Sequence, residues 1–115
     1  MEFTGTAAAS FSASHMVKGH PRCGRNHGHR WRIAVTIKAG QDPASGDLVG
    51  LSELADAIEV IAGELDREDL NDMLVGGQPT AAGLALNVRE RLALKFTKIE
   101  RVQIWMDDIS VTLDA

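Results

Sequence analysis

Hydrophobic and polar residues alternate in two segments of the N-terminal third of the chain. From Phe3 to His15 the odd positions are Phe, Gly, Ala or His, while the even positions are mostly Thr or Ser. The segment from His27 to Lys38 alternates in the same way, with Trp31 and the aliphatic residues on its odd face. A period of two indicates strands that each bury one face. Two β-strands are therefore predicted, joined by a loop from about residue 16 to 26.

The middle of the chain changes to helical spacing. From Ser52 onward, large aliphatic residues recur every three or four positions, which predicts an amphipathic helix ending near Leu65. A second helix is predicted after Pro79, with Thr80 as its N-cap and Leu84 beginning its apolar stripe. The segments 38–47 and 75–80 contain Gly and Pro and are predicted loops.

The chain finishes with two short alternating stretches around the dipeptide Asp107-Asp108, which predicts a β-hairpin. The element order is then β-β-α-α-β-β. This order favours an α+β fold in which a four-stranded antiparallel sheet carries two helices on one face. At 115 residues, the chain is expected to form one domain spanning 1–115.

Composition excludes several classes of protein. The net charge of −4 argues against a general nucleic-acid binder, and no apolar run is long enough to cross a membrane. A single cysteine cannot form an internal disulfide, and the N-terminal residues lack the basic-then-apolar pattern of a secretory signal. We therefore expect a cytoplasmic protein with neither nucleic-acid nor membrane partners. Residues 15–32 carry five basic residues and no acid, which suits a small anionic ligand.

All four histidines lie between positions 15 and 29. In the predicted hairpin, His15 ends the first strand while His27 and His29 begin the second, and all three continue the apolar odd register. Two histidines spaced i, i+2 on one strand, with a third from its partner, can close on one zinc ion. Nickel, cobalt and iron share this ligand preference. His20 falls in the loop, out of register, and is predicted to be a loop or pocket residue.

The only cysteine, Cys23, lies within the same loop. Three histidines leave one coordination position open, as in catalytic zinc sites. The Cys23 thiolate could fill that position and close the site. It could also stand beside the metal as a base or nucleophile, activated by the ion and the neighbouring arginines. The spacing leaves both alternatives open.

Five stretches, "FSASH", "CGRNHGH", "DPASGDLVGL", "ELDREDLND" and "QPT", give the chain a family resemblance. Their order and spacing resemble those of the 6-pyruvoyl-tetrahydropterin synthase family, which includes the 6-carboxy-tetrahydropterin synthases. The resemblance covers nearly the whole chain. It implies the tunnelling fold, in which subunits assemble into an oligomeric barrel, commonly a homohexamer built as a dimer of trimers, with pterin sites between subunits.

The resemblance also implies roles for individual residues. Zinc would be held by His15, His27 and His29, Cys23 would be the proton-abstracting thiolate, and Asp66 would assist proton movement. In the family, zinc binds side-chain oxygens of 7,8-dihydroneopterin triphosphate while triphosphate is eliminated. The implied partner is therefore a small pterin-like ligand, phosphorylated or not, contacted by Thr80 and Asp107.

The chain departs from the family pattern at functional positions. Arg67 stands where the family has a catalytic histidine, and arginine stays protonated near neutral pH. Gly50-Leu51 replaces Asp-Phe, Ala82 replaces a glutamate, and Met106 stands at the position of the pterin-anchoring glutamate. Asp107 beside it could substitute if the turn is shifted by one residue.

These departures leave three hypotheses open. The chain is a zinc-dependent carbon–oxygen lyase acting on a pterin or a modified analogue, or a catalytically silent relative that binds metal and a pterin-like ligand. In the third hypothesis, it holds a structural zinc closed by Cys23.

Overall fold

Two long antiparallel strands, β1 (Phe3–His15) and β2 (His27–Ala39), form half of a single sheet. The computed structural model describes residues 1–19, 26–74 and 77–114. Strands β3 (Ile99–Met106) and β4 (Ile109–Asp114) complete the sheet in the order β1-β2-β3-β4, with every neighbouring pair antiparallel. The predicted strands and the predicted sheet are confirmed.

In the described part of the chain, three helices lie between the two hairpins. They are α1 (Leu51–Leu65), α2 (Leu70–Met73) and α3 (Ala81–Ala93). The short helix α2 was not predicted, because four residues are too few to show a helical period. Asp69 begins it by accepting a hydrogen bond from the Asn71 backbone N–H. Thr80 is the N-cap of α3, as predicted, and its Oγ1 accepts from the Gly83 N–H at 3.0 Å.

The helices cover the odd face of the sheet. Helix α1 contacts β1 and β2, whereas α3 contacts β3 and β4. Odd-numbered residues of β2 such as Trp31, Ile33 and Val35 are fully buried beneath them, in one core with Leu54 and Leu84. The even positions of β1 and β2 are mostly exposed on the other face. The period of two therefore identified the buried face correctly.

The outer edge of β1 is covered at its C-terminal end by the loop that follows α1. The Ser14 N–H donates to the carbonyl of Glu68 at 3.0 Å, and the Arg67 N–H donates to the carbonyl of Ser12 at 2.6 Å. These bonds hold the end of β1, where His15 lies. Among the described residues, no helix is long and apolar enough to cross a bilayer. The oligomeric barrel stays a prediction.

Candidate metal centre

Three histidines converge at one end of the β1–β2 pair. The strand register places His15 directly opposite His27, and His29 opposite Ala13. The three ring centroids are 4.5 to 4.9 Å apart, and each pair of rings meets edge to face. One ligand atom from each ring lies within 4.8 Å of the others. The cluster predicted from the strand pattern can thus hold a metal ion.

Hydrogen bonds at Nδ1 fix the orientation of two of these rings. The Nδ1 of His15 is 2.7 Å from the carbonyl oxygen of Pro79, and the Nδ1 of His29 is 2.6 Å from Oδ2 of Asp107. Both partners are acceptors, so Nδ1 carries the proton and Nε2 carries the lone pair in the neutral rings. Within the described part of the chain, Nε2 of His15 and of His29 is buried without a hydrogen-bond partner.

Buried acceptors of this kind require a partner. A metal ion bound by imidazole nitrogen supplies one, and neutral histidines whose second nitrogen is hydrogen-bonded are the usual form of such ligands. The donor set of the cluster therefore fits a metal.

The floor of the cluster is apolar. The Trp31 ring lies edge-on to His15 at 5.2 Å and to His29 at 5.9 Å, and its Nε1–H donates to the carbonyl of Ala13 at 3.1 Å. Burial lowers the pKa of His15, although the hydrogen bond to Pro79 opposes this effect. A lowered pKa favours the neutral imidazole, which is the form that binds metals.

Of the two predicted catalytic residues, the described residues include only Asp66. Cys23 lies outside them, as does His20. Oδ1 of Asp66 accepts from the Ser12 N–H at 2.9 Å, and its Oδ2 is 4.0 Å from Nε of Arg67. The Arg67 side chain is 91% exposed and its φ is +64°. The carboxylate of Asp66 thus contacts the edge of β1, and its catalytic role stays a prediction.

Of the two predicted substrate-binding residues, Asp107 contacts a histidine of the cluster, whereas Thr80 is the chain neighbour of a residue that does. Thr80 directly follows Pro79, whose carbonyl binds His15. Asp107 binds His29 through Oδ2, while its Oδ1 accepts from the Arg30 N–H at 2.9 Å. The structure thus places Asp107 in contact with the histidine cluster, and contact of Asp107 or Thr80 with a substrate stays a prediction.

A cavity of about 470 Å³ opens beside His29. Ser12, His29, Arg30, Arg67 and Asp107 are among the residues that line it. This volume lies in the range of small-molecule sites. Another cavity, of about 550 Å³, lies at the opposite end of β2 and contains none of the predicted site residues.

Three supporting residues were not predicted from the sequence. The Asn71 side chain accepts from the Met16 N–H at 2.8 Å and donates to the Met16 carbonyl at 3.0 Å, which holds the backbone next to His15. The Pro79 carbonyl orients His15, and the negative charge of Asp69 acts to raise the pKa of His15, against the larger effect of burial. Asn71 belongs to the stretch "ELDREDLND", but no pattern indicated what it contacts.

Comparison with known proteins agrees with this geometry. The sequence profile described as 6-pyruvoyl tetrahydropterin synthase matches residues 4–112. A protein of Archaeoglobus fulgidus, named as a proposed 6-carboxy-5,6,7,8-tetrahydropterin synthase, is 29% identical over 97 residues, which cover 84% of this chain and 82% of that protein.

Two solved structures share the fold. The 6-pyruvoyl tetrahydropterin synthase of Caenorhabditis elegans has a TM-score of 0.86 at 19% identity, covering 100% of this chain and 96% of its own. The 6-pyruvoyltetrahydropterin synthase of Plasmodium vivax, solved as a catalytic-residue mutant, has a TM-score of 0.72 at 11% identity, covering 100% and 99%. Because the family profile spans nearly the whole sequence, the chain belongs to the 6-pyruvoyl tetrahydropterin synthase family.

Proposed function

We propose that this chain is a zinc-dependent carbon–oxygen lyase of the pterin synthase type, acting on 7,8-dihydroneopterin triphosphate or a modified pterin. The observation that carries the proposal is the convergence of three imidazoles with their metal-binding nitrogens within 4.8 Å of one another. Three protein ligands leave a position for a substrate oxygen. Family membership and the name of the Archaeoglobus relative support the reaction class.

Different residues of the chain would bind the metal, exclude water and abstract a proton. His15, His27 and His29 hold the zinc, and the buried apolar floor formed by Trp31 keeps water from beneath it. When bound, zinc supplies Lewis-acid polarisation of a ligand oxygen. In this proposal, Cys23 is the base that abstracts a carbon-bound proton.

Groups around the centre would bind the rest of the ligand. Arg30 and Arg67 line the cavity beside His29 together with Glu68 and Asp107, and the two guanidinium groups could bind a phosphate of the substrate. In this proposal, Thr80 and Asp107 contact the pterin, and Asp66 assists proton movement.

A second candidate is a silent homologue that binds zinc and a pterin-like ligand without turnover. Arg67 at the position of the family's catalytic histidine favours this candidate, because a guanidinium cannot exchange a proton near neutral pH. Replacement of the family's glutamates by Ala82 and Met106 points the same way.

One experiment separates these candidates. Zinc-loaded protein is incubated with 7,8-dihydroneopterin triphosphate and the products are identified by mass spectrometry. A pyruvoyl or carboxy product supports the lyase, whereas binding by calorimetry without product supports the silent homologue. The double variant Arg67→His with Met106→Glu then tests whether these positions limit turnover.

Metal content tests the site itself. We expect one zinc per chain in the wild type, a large loss in His27→Ala, and none of this loss in the control His20→Ala. Retention of zinc by Cys23→Ala supports an open site, whereas its loss indicates a fourth thiolate ligand. Absence of zinc from the wild type would refute the proposal.

We further propose a homohexamer built as a dimer of trimers. Assembly could use the edge of β4, the part of the β1 edge that the loop after α1 leaves uncovered, and the sheet face opposite the helices. Light scattering after gel filtration should give six times the chain mass of 12.4 kDa.

A further inference from the structure

The turn between β3 and β4 brings a carboxylate to the back of the metal centre. Asp107 and Asp108 connect the strands, since Met106 pairs with Ile109. Asp107 has φ +52°, in the left-handed region that Asp and Asn adopt more readily than most residues. The turn thus constrains which residues position 107 accepts.

The β2–β3 register determines where the Asp107 side chain goes. The last regular pair joins Trp31 to Met106, and beyond it the Asp107 N–H donates to the Arg30 carbonyl at 2.7 Å. In return, the Arg30 N–H donates to Oδ1 of Asp107 at 2.9 Å. The carboxylate thus takes the place of the carbonyl that would accept this bond in a regular ladder. Its other oxygen, Oδ2, is then 2.6 Å from Nδ1 of His29.

We propose that Asp107 is a positioning residue of the metal centre, which fixes the tautomer and the ring orientation of His29. An ionised carboxylate only accepts hydrogen bonds, so Nδ1 of His29 carries the proton and Nε2 is left as the ligand atom. The ring is held from the protein side, and Nε2 lies buried next to His15 and His27. This inference rests on the metal site proposed above.

Asp107 can be tested by substitution, whereas the equivalent partner of His15 cannot. His15 is oriented by the backbone carbonyl of Pro79, which no side-chain change removes. Partners of this kind typically change metal affinity by about tenfold to a hundredfold when they are mutated.

The decisive comparison is Asp107→Asn against Asp108→Asn. Asn tolerates the left-handed backbone, but its NH2 group replaces one of the two oxygens that accept from Arg30 and His29, and an NH2 group cannot accept. Asp108→Asn removes the same charge one residue further along the turn. Zinc affinity is measured by competition with a chromophoric chelator at fixed pH and 0.15 M salt.

We expect Asp107→Asn to bind zinc about tenfold to a hundredfold more weakly. Asp108→Asn should change affinity by less than about threefold, because salt screens an exposed charge. Equal effects of the two variants, or an Asp107→Asn affinity equal to that of the wild type, overturn the positioning role. Weaker pterin binding with unchanged zinc affinity also overturns the positioning role and leaves Asp107 only the pterin contact proposed above.

A measurement on the unmutated, metal-free protein does not depend on whether the variant folds. Long-range ¹H–¹⁵N correlation spectra should show the neutral His29 ring protonated at Nδ1. A ring protonated mainly at Nε2 would overturn the inference. If the wild type binds no zinc, the proposed function fails and this inference with it. If the wild type binds zinc and Asp107→Asn binds it equally well, only the inference fails.

Discussion

Helix α3 contains a glycine whose replacement should disturb both stability and the metal centre. A Cβ on Gly83 would meet the backbone carbonyl oxygen of Gln78 and come within 2.8 Å of its carbonyl carbon. Gln78 directly precedes Pro79, whose carbonyl binds His15. Gly83→Ala should therefore displace Gln78 and Pro79, and with them the carbonyl that orients His15.

Two opposing effects set the size of the change. Alanine in place of a helical glycine stabilises a helix by up to about 1 kcal/mol. Overpacking costs about 1–3 kcal/mol, and we take about 3 because the crowded neighbour is backbone and cannot rotate away. The expected net loss is about 2 kcal/mol, which lowers Tm by about 8 °C in a domain of this size.

Gly63 in α1 provides the matched control. It is exposed, and a Cβ there would meet nothing within 4 Å among the described residues. Gly63→Ala should raise the free energy of unfolding by up to about 1 kcal/mol, because only helix propensity changes.

Both variants are compared with the wild type by thermal and urea unfolding at one protein concentration, since assembly couples stability to concentration. Chelator competition then measures zinc binding, which should weaken in Gly83→Ala only. The reasoning is refuted if Gly83→Ala is as stable as Gly63→Ala, or if it binds zinc as the wild type does.

Three further predictions concern the surroundings of the histidines. Asn71→Ala removes both bonds to Met16 and should lower the free energy of unfolding by about 1–2 kcal/mol in urea denaturation; an unchanged value would show that water replaces the side chain. Trp31→Phe removes the hydrogen bond that Nε1–H donates to the Ala13 carbonyl and leaves part of a fully buried ring volume empty, so it should lower the free energy of unfolding by about 1–3 kcal/mol in the same measurement. A loss below about 0.5 kcal/mol would contradict the packing described. Removing metal with a chelator should lower Tm reversibly, since zinc at a hundred times its Kd adds about 2.7 kcal/mol; a Tm insensitive to zinc would argue against the site.

The sequence pattern was sufficient for the sheet and for the histidine cluster. Alternation with a period of two assigns each residue of a strand to one face, so His15, His27 and His29 could be placed together once the hairpin was predicted. Thr80 was recognised as an N-cap because capping is a local interaction, decided within three residues. Strand faces and helix caps depend on residues close together in the sequence, so the sequence is enough to predict them.

Only the tertiary structure showed which groups hydrogen-bond to Nδ1 of His15 and His29. His29 and Asp107 are 78 positions apart, and His15 and Pro79 are 64 apart. The His29–Asp107 contact depends on the register between β2 and β3, and the His15–Pro79 contact depends on where the residues just before α3 pack. A local periodicity in the sequence specifies neither. Helix α2 and the Asn71 bonds to Met16 depend on packing in the same way, because one helical turn is not stable by itself. The alternation in the sequence therefore determines that the three histidines share one face of the sheet. Long-range hydrogen bonds determine how the rings of His15 and His29 are oriented on that face.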